Sequence, residues 1–301
     1  AYNVLASIFR GMGDSRSPMN FIAAACVVNI GLDFFFMGAL RLGPAGAALG
    51  TTLSQAVSVL LALCVILKRK SIRLSKSDFC PRKATMKDIL SIGLPVAAQD
   101  GFIQVSFMLI TIMANQRGLT DAAAVGIVEK IISFLFLVPS SMLSTVSALG
   151  AQNIGAGKYD RTDDILRYAI AIGVGFGAVM ALLMQFIAPS MVRPFTSDEA
   201  VVLAGADYIR SYIFDCLFAG IQFSFSGYFC AWGRSGLSFL HNTLSILLVR
   251  VPGAWLACRF FPQTLVPMGL APACGSLFSS IVCILLYRWM KRQNKPTGDK
   301  D

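Results

Sequence analysis

Eight apolar runs, each long enough to cross a membrane as a helix, constrain this fold more than any other feature. A helix rises about 1.5 Å per residue, so about 20 residues cross about 30 Å of hydrocarbon. Continuous runs favour helices over barrel strands, which alternate in polarity. We therefore predict an all-α polytopic membrane protein with eight full transmembrane helices, and residues 1–9 as the end of another. The predicted spans are 18–40, 44–67, 89–115, 122–147, 165–189, 201–231, 237–261 and 266–290.

The composition excludes most soluble functions. The 301 residues are 55% hydrophobic and 14% charged, whereas a soluble domain is about 25% charged. The eight cysteines form no C-x-x-C pair and lie mostly in apolar stretches, which favours small buried side chains over metal or redox sites. The single histidine, His241, is interpreted as a polar residue near a helix start. We predict no catalytic residues and no cofactor.

Lysine and arginine alternate between the two ends of successive spans. Most of them fall at one set of ends, including Arg10, Arg16, the stretch 68–87 and the stretch 288–300. Because basic loops stay in the cytoplasm, we predict a multi-pass protein of the plasma membrane with a cytoplasmic C-terminus. The net charge of +10 then reflects topology and contact with the lipid bilayer, and we expect no nucleic-acid partner.

The sequence contains a weak internal repeat. "FRGMGDSRSP" (9–18) recurs as "FCAWGRSGLS" (229–238), which places Gly13 over Gly233. "GPAGAALG" (43–50) similarly matches "PMGLAPAC" (267–274). Repeated halves of parallel orientation are typical of transporters that bind substrate between them. The repeat predicts two six-helix halves, with about 130 residues of the first half preceding Ala1.

The repeat also predicts the domain organisation. Residues 1–67 would end the N-terminal lobe with the end of helix 4 and helices 5 and 6. The basic stretch "KRKSIRLSKSDFCPRKATMKD" (68–88) would be a cytoplasmic linker between lobes. Residues 89–290 would form the C-terminal lobe with helices 7–12, and residues 291–301 a cytoplasmic tail.

Polar residues interrupt the first full span. Asn29 and Asp33 are four residues apart and share one helix face. An ionised carboxylate at the membrane centre costs about 3 kcal/mol or more, and either a proton or an adjacent cation removes that cost. The next span contributes hydroxyls and an amide, including Thr51 and Gln55, whose oxygens suit Na⁺ or a hydrogen-bonded proton site. Asp33 is thus either a coupling carboxylate or a hydrogen-bonding residue in helix packing.

The second half has its own intramembrane polar residues, which are candidates for coupling or substrate contact. Asp100 and Gln104 lie on or near one helix stripe with Thr111 and Asn115. Glu129 stands beside Lys130, with which it could simply pair. An ion pair between the helices that carry Asp215 and Arg250 is a plausible alternative to substrate contact.

Several motifs resemble the multidrug and toxic compound extrusion (MATE) transporters. They are "RGMGDSRSPM", "NIGLDFFF", "GPAGAALGTTLSQ", "GLPVAAQ" and "GAQNIGAGKYDR", in family order from the end of helix 4 to helix 12. The resemblance implies a twelve-helix, two-lobed fold that exports drugs or small organic cations against an inward flow of H⁺ or Na⁺. It further implies that Asn29, Asp33 and Thr51 line a cation site, with no other metal site. The family's helix 7 carboxylate is missing here, where Ile103 and Gln104 stand.

We therefore predict a secondary active efflux antiporter, a monomer, that works by alternating access and is not an enzyme. A proton is the favoured coupling ion because one carboxylate with amide and hydroxyl neighbours suffices for it. The first alternative is a flippase for lipid-linked oligosaccharides or peptidoglycan precursors, which would need a cationic cavity, and Arg250 is the main basic residue deep in a span. The second is a lipid-modifying membrane enzyme, which would need histidine and carboxylate clusters.

Overall fold

The computed structural model describes residues 2–68 and 82–293, and every regular element in those ranges is a helix. The chain divides into two compact units, Ala1–Lys83 and Ala84–Asp301. Within these described ranges, eight helices or broken helices are long and apolar enough to cross a membrane. The prediction of an all-α polytopic membrane protein with eight spans is confirmed.

The N-terminal unit consists of three helices, one of which ends in a π-helical segment. Phe9 and Phe21 lie edge to face with ring centroids 5.6 Å apart, and Ala62 and Ile66 complete the small core. The elements are α1 (Tyr2–Gly11), α2 (Arg16–Asp33), a first π segment (Phe34–Ala39) and α3 (Gly43–Lys68).

The described part of the C-terminal unit, up to residue 293, contains nine α-helices, several of which are consecutive parts of one span. They are α4 (Lys83–Arg117), α5 (Leu119–Leu135), α6 (Leu137–Gly155), α7 (Tyr159–Val192), α8 (Glu199–Tyr212), α9 (Phe214–Ala231), α10 (Ser235–Ser245), α11 (Val251–Phe260) and α12 (Val266–Gln293). A 3₁₀ turn (Arg193–Phe195) follows α7, and a second π segment (Ile246–Arg250) joins α10 to α11.

Helix α9 is the centre of the C-terminal unit, because α6, α7 and α12 all pack against it. A pair of glycines allows α7 and α9 to approach closely. A Cβ atom on Gly173 would lie only 2.8 Å from the Cα of Gly220. Small residues at such crossings are typical of helices that associate in lipid, where packing rather than hydrophobic exclusion drives contact.

Most span boundaries agree with the sequence to within a few residues. However, α4 and α7 begin six residues before the predicted 89–115 and 165–189, and α6 ends eight residues after the predicted 122–147. Helix α4 starts at Lys83, inside the stretch predicted as a linker. Residues 69–81 of that stretch, and residues 294–301 of the predicted tail, lie outside the described residues. The linker and tail assignments therefore stay predictions.

The two glycines paired by the internal repeat adopt the same turn. Gly13 has a φ of 85° and Gly233 a φ of 69°, a left-handed conformation that favours glycine. Asp14 N–H donates to Phe9 O at 2.9 Å, and Arg234 N–H donates to the residue 220 positions after Phe9, Phe229 O, at 2.8 Å. This hydrogen bond ends a helix in a Schellman motif. The shared geometry supports the repeat that the weak sequence identity indicates.

Candidate cation site

A polar cleft of about 430 Å³ opens on the N-terminal unit. Helix α2 contributes Asn29 to its lining, and α3 contributes Thr51 and Gln55, which lie one turn apart. Amide and hydroxyl oxygens therefore converge on one space from two helices. Carboxamide and hydroxyl oxygens are ligands for hard cations and acceptors for a shared proton.

Asp33 lies one turn beyond Asn29 on α2, and is half-buried. Asn29 Nδ2 donates to Asp33 Oδ1 across 3.4 Å, which is a long hydrogen bond. The carboxylate packs against the backbone of Gly50 on α3, where an added Cβ atom would overlap Asp33 Oδ1. Within residues 2–68 and 82–293, no lysine, arginine or histidine forms an ion pair with Asp33.

Thr51 lies in the cleft without contacting Asp33. Its hydroxyl donates to Ala47 O at 2.9 Å, one turn back on its own helix. That bond uses the hydroxyl proton and leaves the oxygen lone pairs free to accept or to coordinate. The structure thus brings Asn29 and Asp33 together directly, and Thr51 and Gln55 into the adjoining cleft.

The first π segment begins immediately after Asp33. Leu40 N–H donates to Phe35 O at 3.0 Å, which is the i to i−5 pattern of a π-helix. Gly46 of α3 packs against this segment, since a Cβ there would lie 3.1 Å from the Cβ of Phe36. Such π segments are uncommon and are often found at functional sites.

The C-terminal unit holds a buried acid and base. The side chain of Asp215 on α9 is 0% exposed and that of Arg250 is 8% exposed, with 3.9 Å between Oδ2 and Nη2. Arg250 Nη2 donates to Tyr212 Oη at 2.8 Å, and its guanidinium lies 4.8 Å from the ring centroid of Phe107. The ion pair between helices proposed from the sequence is present.

Beside Arg250 lies a second cavity, of about 40 Å³. His241 lines it and is 1% exposed. The His241 ring bridges two serines, with Nε2 2.9 Å from Ser226 Oγ and Nδ1 2.7 Å from Ser279 Oγ. The other polar lining residues are Gln99, Gln222 and Asn242. Interpreting His241 only as a residue near a helix start missed this cluster, although the repeated serines of the last three spans, together with Gln222, were a signal for it.

Helix α4 buries polar residues that the sequence analysis did not single out. Asp100 and Gln104 are exposed, whereas Gln99 is 2% exposed and accepts a hydrogen bond from Ser238 Oγ at 2.7 Å. The four-residue spacing of Asp100 and Gln104 identifies a shared face but not the direction in which that face points. Gln99 and Ser106, which is 0% exposed, are therefore the polar residues that α4 buries in the interior of this unit.

Glu129 contacts the helix before it rather than its neighbour in sequence. Thr111 Oγ1 lies 3.1 Å and 3.3 Å from the two carboxylate oxygens of Glu129. The ion pairs in the described part of the chain do not include one between Glu129 and Lys130. The direct pairing weighed from the sequence is not found.

Eight apolar spans with polar and charged groups inside both units define a multi-pass helical membrane protein whose intramembrane residues are candidates for a transport site. The MatE family model matches residues 95–256, more than half of the chain, so the chain belongs to the MatE family.

Curated relatives and solved structures agree with this assignment. The chain is 29% identical over 291 residues to the probable multidrug resistance protein YpnP of Bacillus subtilis, covering 96% of this chain and 64% of YpnP. It is 22% identical to the probable multidrug resistance protein NorM of Thermotoga maritima, with the same two coverages, 96% and 64%. The fold matches a crystal structure of the Vibrio cholerae MATE transporter VcmN with a TM-score of 0.91 at 18% identity, covering 98% of this chain and 66% of VcmN. The chain thus spans about two thirds of the length of these proteins.

Proposed function

We propose that this chain is part of a secondary active transporter that exports small organic cations or drugs in exchange for H⁺ or Na⁺ moving inward. The relatives described as multidrug resistance proteins support this substrate class. Export would proceed by alternating access, as in other transporters built from repeated halves. The protein would be a monomer in the plasma membrane with a cytoplasmic C-terminus, and would act as a transporter rather than an enzyme.

The proposal rests on the surroundings of the Asp33 carboxylate. This carboxylate lies on an apolar span and has one long hydrogen bond to Asn29. In the described part of the chain it has no cationic partner. A carboxylate in a membrane without a partner gains stability from any proton or cation that reaches it. Asp33 is therefore the residue at which ion binding would change the charge of the N-terminal unit.

The proton is the favoured coupling ion, and Na⁺ is the alternative. One carboxylate hydrogen-bonded by an amide is sufficient to take up and release a proton. A Na⁺ ion would need more oxygen ligands, of which Asn29, Thr51 and Gln55 offer three around the cleft. The choice between the ions is open to a direct gradient experiment.

The flippase alternative needs a cationic cavity for a pyrophosphate group. Arg250 is the buried base that could supply it, but the structure pairs Arg250 with Asp215 and Tyr212. An arginine whose charge is already balanced offers little net attraction to a diphosphate. Efflux of organic cations is therefore the function that the charges of both units favour.

The test uses the full-length transporter in proteoliposomes, with ethidium as the substrate and an imposed proton or sodium gradient. We expect Asp33→Asn to abolish gradient-driven ethidium transport, because the amide cannot change charge. Asp88→Asn, an equal charge change at an exposed position of α4, is the matched control and should retain it. Unchanged transport in Asp33→Asn would refute the coupling role. Transport driven by a sodium gradient alone would make Na⁺ the ion.

A further inference from the structure

The C-terminal unit contains a completely buried carboxylate, and burying a charge costs folding free energy. Asp215 is 0% exposed, and no donor meets strict hydrogen-bond geometry at either oxygen, although the Ser276 hydroxyl is close enough to act on it as a weak hydrogen-bond partner. The Arg250 guanidinium at 3.9 Å is the nearest opposite charge, and it is too far for a direct hydrogen bond. Asp215 is thus balanced mainly by the charge of Arg250, with the Ser276 hydroxyl as a weaker partner, as a carboxylate beside a bound cation would be.

Arg250 is held in place by groups other than Asp215. Its Nη2 donates to Tyr212 Oη at 2.8 Å, and Phe107 presents its ring 4.8 Å from the guanidinium carbon. Its Nε atom is buried without a partner. An aromatic face and a phenol oxygen are a suitable environment for any cation, because both present negative charge to it. Arg250 also ends the second π segment, which sets the direction of its side chain.

The space around the guanidinium is polar and can hold water. The adjoining cavity of about 40 Å³ exceeds the 10–15 Å³ or so that one water needs. Its walls include the carboxamides of Gln99, Gln222 and Asn242. Arg250 lines this cavity and Asp215 does not, so removing the guanidinium would extend the space from the carboxamides towards the carboxylate that now lies 3.9 Å from it.

The charged groups near Asp215 balance without any external ion. The groups that act electrostatically on Asp215 and Arg250 are the phenols of Tyr208 and Tyr212, the Cys216 thiol and the Glu129 carboxylate. Lys130 in turn acts on Glu129. The charges of two carboxylates, Asp215 and Glu129, are therefore balanced by two basic side chains, Arg250 and Lys130. The N-terminal unit differs, because none of its described residues places such a base beside Asp33.

We propose that Asp215 marks a cation site whose occupant is the Arg250 side chain itself. This inference rests on the proposed function, in which Asp33 is the coupling residue. A tethered guanidinium cannot leave, so the C-terminal unit takes up no coupling ion and each transport cycle uses the N-terminal site alone. Replacing Arg250 by a neutral residue vacates the site, and Asp215 then binds one external proton or sodium ion.

The experiment measures ion binding to the purified full-length transporter in a background in which Asp33 is replaced by Asn. Equilibrium dialysis with radioactive sodium, and proton uptake after a step from alkaline to mildly acidic pH, both count bound ions. Asp33→Asn alone should show no saturable site. Asp33→Asn with Arg250→Gln should gain one site. Adding Asp215→Asn should remove it, and Arg250→Lys in place of Arg250→Gln should not create it.

The outcomes separate the two proposals. If Asp33→Asn alone still binds an ion and Asp215→Asn removes that binding, Asp215 takes an external ion beside Arg250 and the inference is wrong. If Asp33→Asn alone binds an ion that Asp215→Asn does not affect, the proposed coupling role of Asp33 fails instead. If the folded Arg250→Gln variant gains no ion-binding site, the Arg250 side chain does not occupy a cation site and the inference is wrong.

Thermal unfolding covers the case in which Arg250→Gln folds poorly. Sodium or mildly acidic pH should raise the Tm of Arg250→Gln, because either one neutralises the unpaired Asp215. The same conditions should not raise the Tm of Arg250→Lys. If neither condition stabilises Arg250→Gln, the inference is overturned.

Discussion

Asp33 in the N-terminal unit and Asp215 in the C-terminal unit are both carboxylates on apolar spans, yet their surroundings are opposite. Asp33 is half-buried beside an open cleft of about 430 Å³, with one amide as its partner. Asp215 is completely buried, with Arg250 3.9 Å away, and it is Arg250 that lines a cavity about a tenth of that size. A buried charge that already has a partner gains little free energy from binding a further ion, whereas an accessible charge without a partner gains more. Asp33 is therefore suited to exchanging ions, whereas Asp215 is suited to stabilising the fold.

The largest expected effect comes from breaking the buried pair. We expect Arg250→Ala to destabilise the folded protein by about 3–5 kcal/mol, because it leaves Asp215 buried without a counter-charge. Asp33→Asn should change the unfolding free energy by less than about 0.5 kcal/mol, since it breaks no ion pair. Chemical denaturation in detergent compares the two variants. Equal destabilisation of both would contradict the contrast between the units.

The second prediction concerns the helix contact that positions Asp33. Gly50→Ala places a Cβ atom where Asp33 Oδ1 lies, so the carboxylate must move. We expect a cost of about 1–3 kcal/mol in stability and a clear loss of gradient-driven transport. Gly31→Ala is the matched control, because a Cβ on Gly31 meets no atom within 4 Å. Normal transport in Gly50→Ala would show that the position of Asp33 against α3 is unimportant.

The third prediction compares two buried serines. Ser279→Ala removes the hydroxyl at His241 Nδ1 and should cost about 1–2 kcal/mol, because the ring nitrogen stays buried without a partner. Ser58→Ala in the N-terminal unit removes a bond to Gln55 O on its own helix and should cost about 0.5 kcal/mol. Thermal unfolding measures both changes. A larger loss in Ser58→Ala would mean that the His241 cluster contributes little.

The smallest effect on stability is expected at Asn29. Its 3.4 Å bond to Asp33 is long, so Asn29→Ala should cost about 0.5 kcal/mol or less. Ion affinity should nevertheless fall several-fold, because the amide is the one hydrogen-bond partner that Asp33 has in the described structure. Titrating transport against pH or sodium concentration detects the shift. An unchanged half-saturation point would remove Asn29 from the site.

The helical framework could be predicted from the sequence because membrane thickness fixes span length. The contact between Asn29 and Asp33 could also be predicted, since residues four apart share a helix face. Both inferences use local rules. The repeat of the turns at Gly13 and Gly233 followed from spacing and from the conformational freedom of glycine.

What could not be predicted depends on tertiary packing. The sequence indicated that Asp215 and Arg250 could pair, but they are 35 positions apart, and no local rule gives their separation of 3.9 Å or their burial. Gln99 rather than Asp100 points inward because the rotation of α4 is set by the helices packed against it. The π segments after Asp33 and before Val251 also have no composition signature. Each of these features depends on how the helices pack against one another.

The most direct test of the central claim compares removal of the unpaired carboxylate with removal of the buried pair as a unit. Full-length proteoliposomes carrying Asp33→Asn, or the double variant Asp215→Asn with Arg250→Gln, are given the same proton or sodium gradient and the same ethidium load. The double replacement keeps the interior neutral, so it avoids a buried unpaired charge. We predict that Asp33→Asn loses gradient-driven transport and that the double variant retains it. Loss in the double variant with retention in Asp33→Asn would place ion coupling in the C-terminal unit and contradict the account.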